Sequence, residues 1–202
     1  GGSQQYWIDV PEAVPSELPL FLADVNGSPA IEWVLKPFLK SRYELKFVFV
    51  VKEAQMQRFK LESLLPRIVG FRPTVVLPVH GETLGSLKTV LAIAEKLDGS
   101  APVIFCNGST VTSWPPGSSI DDLVDTRADG ALTTFESNDR RCSYVRVRPG
   151  LDLVDVHEKV PVSNIATTGI YYWKSADAFL SAAKTIVKRG VKHKGLYYLA
   201  PV

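Results

Sequence analysis

The run Phe47-Val48-Phe49-Val50-Val51 contains no polar residue, so as a strand it requires cover on both faces. Thr74 to Val79 reads as another strand and Val103-Ile104-Phe105 as a further buried one, and a short strand, Trp7-Ile8-Asp9-Val10, stops at Pro11. Between them the apolar residues fall at helical spacing. Pro29 to Leu39 carries Ile31, Val34, Leu35 and Phe38 on one face, with Pro29 suited to a first helical turn. Met56 to Leu65 predicts a helix ended by Pro66, and Gly85 to Leu97 predicts one with Leu87, Val90, Leu91 and Ala94 on one face. Strands alternating with helices imply a parallel sheet covered by helices on both faces through right-handed crossovers. Ligands of such sheets bind beyond the carboxyl ends of the strands, where strand order reverses.

The second half reads differently. Gly108 to Ser119 is a loop rich in Gly, Pro and Ser, and Ile120 to Arg127 is a short helix. Strand-like segments then follow one another: Ala131 to Phe135, Ser143 to Val147, Val154 to Lys159 and Ser163 to Trp173. Ala176 to Lys188 closes this part as a helix. These strands are expected to join in antiparallel fashion and to cap the crevice. The fold class is therefore α/β, a Rossmann-like three-layer sandwich with a mixed, mostly parallel sheet. No internal repeat or low-complexity tract is present.

Bulk properties narrow the function classes. A chain of 202 residues fits one domain, taken as 4–202, and buries about 70% of its unfolded surface. Gly1-Gly2-Ser3 reads as a tag remnant. With 46% hydrophobic and 22% charged residues the composition is that of an ordinary globular domain. A net charge of +2 with dispersed basic residues argues against nucleic acid. The one basic cluster, Lys188-Arg189 with Lys192 and Lys194, reads as a solvated helix end. Cys106 and Cys142 lack metal-site spacing, give no disulfide framework and read as small buried hydrophobes, which fits a reducing cytosol. No signal peptide or membrane-length apolar run occurs, so no membrane partner is expected.

Several elements, in order, resemble the sugar-1-phosphate nucleotidyltransferases, which join a sugar phosphate to an NTP and release pyrophosphate. Leu18-Pro19-Leu20-Phe21-Leu22, then Val25-Asn26-Gly27-Ser28-Pro29-Ala30-Ile31-Glu32-Trp33, is similar to the family's Pro-Lys-Pro-Leu element and the turn and helix after it. Thr83-Leu84-Gly85 resembles its base- and ribose-contacting turn. Glu158-Lys159 and Asn164 to Tyr171 resemble its Glu-Lys and Asn-Ala-x-x-Gly-x-Tyr elements, which hold the sugar and its phosphate. The resemblance runs from about Val10 to the end of the chain. It implies a sugar-phosphate site at Tyr144, Glu158, Lys159, Asn164 and Gly169, and nucleotide contacts at Thr83, Gly85 and Asn107.

The triphosphate half departs from that pattern. The family's first strand leads into a Gly-rich loop whose N–H groups and arginine cradle phosphates. Here Pro11-Glu12-Ala13-Val14-Pro15-Ser16-Glu17 has no glycine and no cation, Pro15 donates no N–H, and two glutamates repel a triphosphate. Leu20 stands where the resemblance places a phosphate-facing lysine. After Phe105, Asn107-Gly108-Ser109 stands where an Asn-x-Asp turn would supply the carboxylate for Mg²⁺. Phosphoryl transfer rests on positioning and charge neutralisation, and one such loss costs on the order of 10²-fold in rate.

Plainer roles compete at each position. Glu158-Lys159 also reads as a surface ion pair worth little, Gly169 as a bulge, and Thr83 to Ser86 as a helix N-cap. His80, His157 and His193 read as structural or solvated residues with no partner for metal or base chemistry. Asp121-Asp122 reads as a helix N-terminal carboxylate pair rather than a metal site. Trp114-Pro115-Pro116 reads as a loop aromatic for a partner contact or as a plug over the metal position.

The expected function is a catalytically impaired nucleotidyltransferase-like protein, a pseudoenzyme. It would bind a sugar phosphate or nucleotide sugar, or act as a regulatory or scaffold subunit in glycan or nucleotide-sugar metabolism, including polysaccharide biosynthesis. Pairing with an active relative as a homo- or hetero-oligomer belongs to that expectation. No catalytic residue, metal ligand or cofactor is assigned. The alternatives are an active transferase using Mg²⁺ with relocated phosphate contacts at Lys52, Arg140 or Arg141, and a pure protein-interaction domain.

Overall fold

In the computed structural model, residues 5–6, 18–112, 120–150 and 152–202 are described. The Trp7 to Val10 strand, the Pro11 to Glu17 loop and Trp114-Pro115-Pro116 lie outside the described residues. The chain divides into two compact units, one of residues 3–81 with 107–125 and one of 82–106 with 126–202.

In the first unit, strand β1 (Gln5–Tyr6) precedes a one-turn 3₁₀ helix at Leu20–Leu22. Strands β2 (Asp24–Val25) and β3 (Ser28–Pro29) then form a hairpin. Both central residues of its turn have positive φ, Asn26 at 53° and Gly27 at 82°, the conformation for which Asn-Gly is the preferred pair. Helix α1 (Ala30–Leu39) starts immediately after, with Pro29 as its N-cap residue and the expected face of Ile31, Val34, Leu35 and Phe38 buried. Trp33 Nε1 donates to the carbonyl of Val25 at 2.9 Å and ties the helix to the hairpin.

Strands β4 (Phe47–Lys52) and β5 (Thr74–Val79) pair in parallel, Phe47 opposite Thr74. Phe47 and Val51 are buried and the residues between them partly so, short of the full two-sided cover expected. The single helix expected to span Met56 to Leu65 is two, α2 (Glu53–Arg58) and α3 (Leu61–Ile68). Lys60 breaks the run at φ 50°, and Pro66 lies inside α3 rather than ending it. What ends α3 is Gly70 at φ 66°: its N–H donates to Arg67 O at 3.0 Å and that of Phe71 to Pro66 O at 2.8 Å.

The second unit holds α4 (Ser86–Leu91), a 3₁₀ turn at Ala94–Lys96, and strand β6 (Val103–Cys106). The helix expected over Gly85 to Leu97 is thus interrupted at Ile93, although Leu87 and Val90 are buried as the spacing requires. Strand β7 (Val111–Thr112) and helix α5 (Ile120–Val124) belong to the first unit, where β7 pairs with β1. Strands β8 (Gly130–Glu136), β9 (Tyr144–Val147), β10 (Leu153–His157) and β11 (Ile165–Trp173) follow in the second. They form one sheet with β6 in the order β10-β9-β11-β6, and β8 also pairs with β11, every pairing antiparallel.

The α/β class with both parallel and antiparallel pairing holds. Among the described residues the parallel pairing is that of β4 with β5. Helix α6 (Ala176–Lys188) keeps its expected bounds, and Ser175 Oγ caps it by accepting from Ala178 N–H at 3.2 Å. Its face of Phe179 and Ala183 packs with Leu87, Val90 and Tyr197 into one core cluster. Burial pushes the Cys106 thiol up to about 12 and raises that of Cys142, so both remain neutral thiols as expected of small hydrophobes.

Candidate functional site

Register builds the site. Strands β9 and β10 are antiparallel with His157 opposite Tyr144, so Glu158, one step beyond β10, falls opposite Ser143, one step before β9. Ser143 Oγ donates to Glu158 Oε2 at 2.5 Å. On the other side of β9, Ala166 of β11 faces Tyr144, and Thr167 N–H donates to Ser143 O at 2.8 Å. Ser143 is thereby held between the end of β10 and the middle of β11.

Strand β11 then breaks register against β8 between Thr167 and Tyr171, with Gly169 at φ 85° in the gap. The bulge reading of Gly169 is the one its geometry shows. Across that bulge Thr167 Oγ1 and the Tyr171 hydroxyl lie 3.1 Å apart. Burial pushes the Tyr171 phenol up to about 12, with a further push from the nearby Glu158 charge.

The surface ion-pair reading of Glu158-Lys159 does not survive: the Glu158 side chain is only 9% exposed. Burial raises its carboxyl above the usual carboxylate range, against the opposing pull of the Ser143 hydrogen bond and the charges of Lys159 and His193. Lys159 occupies the left-handed region at φ 56°, with Nζ 3.9 Å from Glu158 Oε1. The same ammonium donates to the Tyr198 hydroxyl at 3.2 Å and lies 4.6 Å from the centre of that ring. The result is a buried carboxylate, hydroxyls on Ser143, Thr167 and Tyr171, and one cation. Such a set matches a ligand bearing several hydroxyls and one anionic group.

Other expected residues are placed differently. Tyr144 is fully buried, its hydroxyl donating to Asp139 O at 2.8 Å, so it underlies the site rather than lining it. Asn164 is exposed and its carbonyl accepts from Ser137 N–H at 3.0 Å. Thr83 and Ser86 do not cap α4: its N-cap residue is Gly85, Thr83 Oγ1 pairs with Thr89 Oγ1 at 2.6 Å, and Ser86 Oγ accepts from Leu199 N–H at 3.3 Å. Gly85 at φ 100° is required by its own chain, since a Cβ there would lie 2.2 Å from Tyr197 O.

In the first unit the Asn107 carboxamide oxygen accepts from Ser109 Oγ at 3.2 Å. A turn of Asn107, Gly108 and Ser109 offers neutral oxygens and no carboxylate, which does not fit Mg²⁺, a hard cation usually bound through carboxylates. Leu20, where the resemblance places a phosphate-facing lysine, is 53% exposed. Asp121 is more than a helix-end carboxylate. It accepts from Ser41 Oγ and, at 3.1 Å, from Arg42 N–H, fastening the loop after α1.

His80 has a partner that its sequence context did not reveal, its Nδ1 lying 2.8 Å from Glu53 Oε2. His157 Nε2 is 3.2 Å from Asp155 Oδ1, outside hydrogen-bonding geometry, and His193 meets Tyr198 edge to face. Ser143, Thr167 and Tyr198 were not singled out from sequence. Ser143 and Thr167 sat inside segments already identified, and the strand pairing was the signal needed to find them.

No protein-family model matches the chain, and no curated protein matches it in sequence. Its fold has many solved counterparts. One is a nucleoside-diphosphate-sugar pyrophosphorylase from Vibrio cholerae RC9, at TM-score 0.77 and 20% identity over 92% of this chain and 78% of that one. Another is the inositol-1-phosphate CTP transferase from T. maritima, at TM-score 0.69 and 16% identity over 93% and 71%. A UDP-glucose pyrophosphorylase complexed with UDP-glucose matches at TM-score 0.68 and 12% identity over 91% and 76%. The chain therefore has the fold of the sugar-phosphate nucleotidyltransferases. Among the described residues no helix is long and apolar enough to cross a membrane.

Proposed function

We propose that this chain binds a sugar phosphate between Glu158 and Lys159 and is impaired in nucleotidyl transfer. The reading is carried by one observation: a carboxylate buried to 9% exposure, hydrogen-bonded to Ser143, with an ammonium 3.9 Å away. Burying a charge is costly, and here Ser143 and Lys159 partly offset that cost in a geometry suited to sugar hydroxyls and a phosphate. Fold likeness to proteins that act on sugar phosphates supports the ligand class.

Impairment is argued from what stands at the polyphosphate positions. Pro11 to Glu17 bears acids and no cation, Leu20 is apolar, and Asn107 to Ser109 offers no carboxylate. Of the relocated cations that would rescue activity, Arg141 commits its fork to Asp139, with contacts of 2.7 to 3.1 Å. A regulatory or scaffold role beside an active relative follows as the use of such a protein.

The test is twofold. A panel of hexose 1-phosphates should raise the melting temperature by mass action, and the same panel with NTPs and Mg²⁺ should release no pyrophosphate above background. Appreciable turnover would establish the active-transferase alternative instead. No thermal response to any sugar phosphate or nucleotide would favour an interaction domain.

A further inference from the structure

Resting on the sugar-phosphate reading of Glu158 and Lys159, we infer that Tyr198 is a positioning residue that holds the Lys159 ammonium at the site. A lysine ammonium sits on a flexible four-carbon stem and samples many rotamers unless something restrains it. The Lys159 side chain is 35% exposed, so burial alone does not restrain it. Tyr198 does so twice, through its hydroxyl at 3.2 Å and its ring at 4.6 Å. One of the three ammonium N–H bonds is thereby used, which leaves two to reach an anion beside Glu158.

Tyr198 is itself fixed before any ligand arrives. On one side, Tyr197 N–H donates to Leu84 O at 2.8 Å and Tyr197 O accepts from Leu87 N–H at 3.2 Å, while its ring is buried against Leu87, Val90 and Phe179. On the other side, Leu199 N–H donates to Ser86 Oγ at 3.3 Å. Upstream, His193 and Leu196 exchange both backbone hydrogen bonds at 3.0 Å and close the preceding turn. Residues 197 and 199 thus grip the Leu84 to Leu87 segment and leave only the Tyr198 side chain to project toward Lys159. The turn that resembles a nucleotide contact also anchors the segment that carries Tyr198. Preorganisation of this kind raises affinity by removing an ordering cost at the moment of binding.

Calorimetric titration with the hexose 1-phosphate panel tests this on wild type, Lys159→Ala, Tyr198→Phe and Tyr198→Ala, alongside melting temperatures without ligand. Tyr198→Phe keeps the ring and loses the hydroxyl acceptor. It should melt like wild type and bind roughly threefold more weakly, whereas Tyr198→Ala should bind roughly tenfold or more weakly. Partial recovery by Phe over Ala, at unchanged melting temperature, is a pattern that a purely structural tyrosine would not produce. If Lys159→Ala abolishes binding while both Tyr198 variants bind like wild type, the positioning role is wrong and the site reading stands. If wild type binds none of the panel, or Lys159→Ala binds as well as wild type, the site reading itself fails and the positioning role falls with it.

Discussion

Ser143 donates its hydroxyl hydrogen to the buried carboxyl of Glu158 at 2.5 Å, from the start of one strand to the end of its antiparallel neighbour. This bond gives Glu158 a strong donor where water is largely excluded, and the chemistry of the site turns on it. Removing the donor leaves the carboxylate desolvated, with only the more distant charges of Lys159 and His193 acting on it.

Ser143→Ala should therefore destabilise the protein by about 1–3 kcal/mol at neutral pH, the usual cost of an unsatisfied buried acceptor. Chemical denaturation at pH 7 measures it. A loss below about 0.5 kcal/mol would mean that the carboxyl is better solvated than its position implies.

The pH dependence of Glu158 has a definite sign. Its folded pKa is raised above the ordinary value of 4.5, so the folded state holds the proton more tightly than the unfolded chain. The stability it contributes is fully present below pH 4.5 and is lost as pH rises through the folded pKa. Glu158→Gln removes that titration. Its melting temperature relative to wild type should rise between pH 4 and pH 7, and a flat difference across that window would contradict the burial argument.

Lys159→Ala should abolish the sugar-phosphate-induced thermal shift. It should also cost about 1–3 kcal/mol of unliganded stability at pH 7, because it removes a charge that partly offsets the burial of the Glu158 carboxylate. A retained ligand shift would remove Lys159 from the site.

Gly85→Ala tests the contact with Tyr197. A Cβ at Gly85 would lie 2.2 Å from Tyr197 O in a backbone of φ 100°, whereas at Gly81, φ 68°, it would meet nothing within 4 Å. The Gly85 variant should lose about 1–3 kcal/mol from backbone strain and more from the clash. Gly81→Ala should lose only about 1 kcal/mol. Equal losses in parallel denaturation curves would show that the Tyr197 segment yields readily.

Asp121→Ala should loosen the loop after α1 by leaving Ser41 Oγ and Arg42 N–H without this acceptor. The expected cost is about 1–3 kcal/mol. Amide exchange at Arg42 should accelerate in the variant, and unchanged protection would show that other bonds hold the loop.

Local pattern sufficed wherever a rule acts within one turn or one strand. Ala176 to Lys188 was legible to the residue because Ser175 caps it and its apolar spacing matches its period. The α1 face was legible for the same reason of spacing, and Asn26-Gly27 carries the dihedral preferences of its turn in the two residues themselves. Met56 to Leu65 reads as one helix ended by Pro66, yet Pro66 lies inside α3. The break falls at Lys60, which takes the left-handed region although its residue type favours helix.

The resemblance points to Glu158-Lys159 as a candidate ligand contact, but the electrostatics of that pair are not legible in its letters. Whether that pair is a solvated surface contact or a buried carboxylate beside a cation depends on Ser143, 15 residues away, and on Tyr198, 39 residues beyond Lys159. Hydrophobic period and turn chemistry are properties of neighbouring residues, so the chain alone determined its elements and its fold class. Burial and hydrogen-bond partnership are properties of residues brought together by strand register. Only the tertiary structure decided which groups come together around Glu158-Lys159 and that burial raises the Glu158 carboxyl.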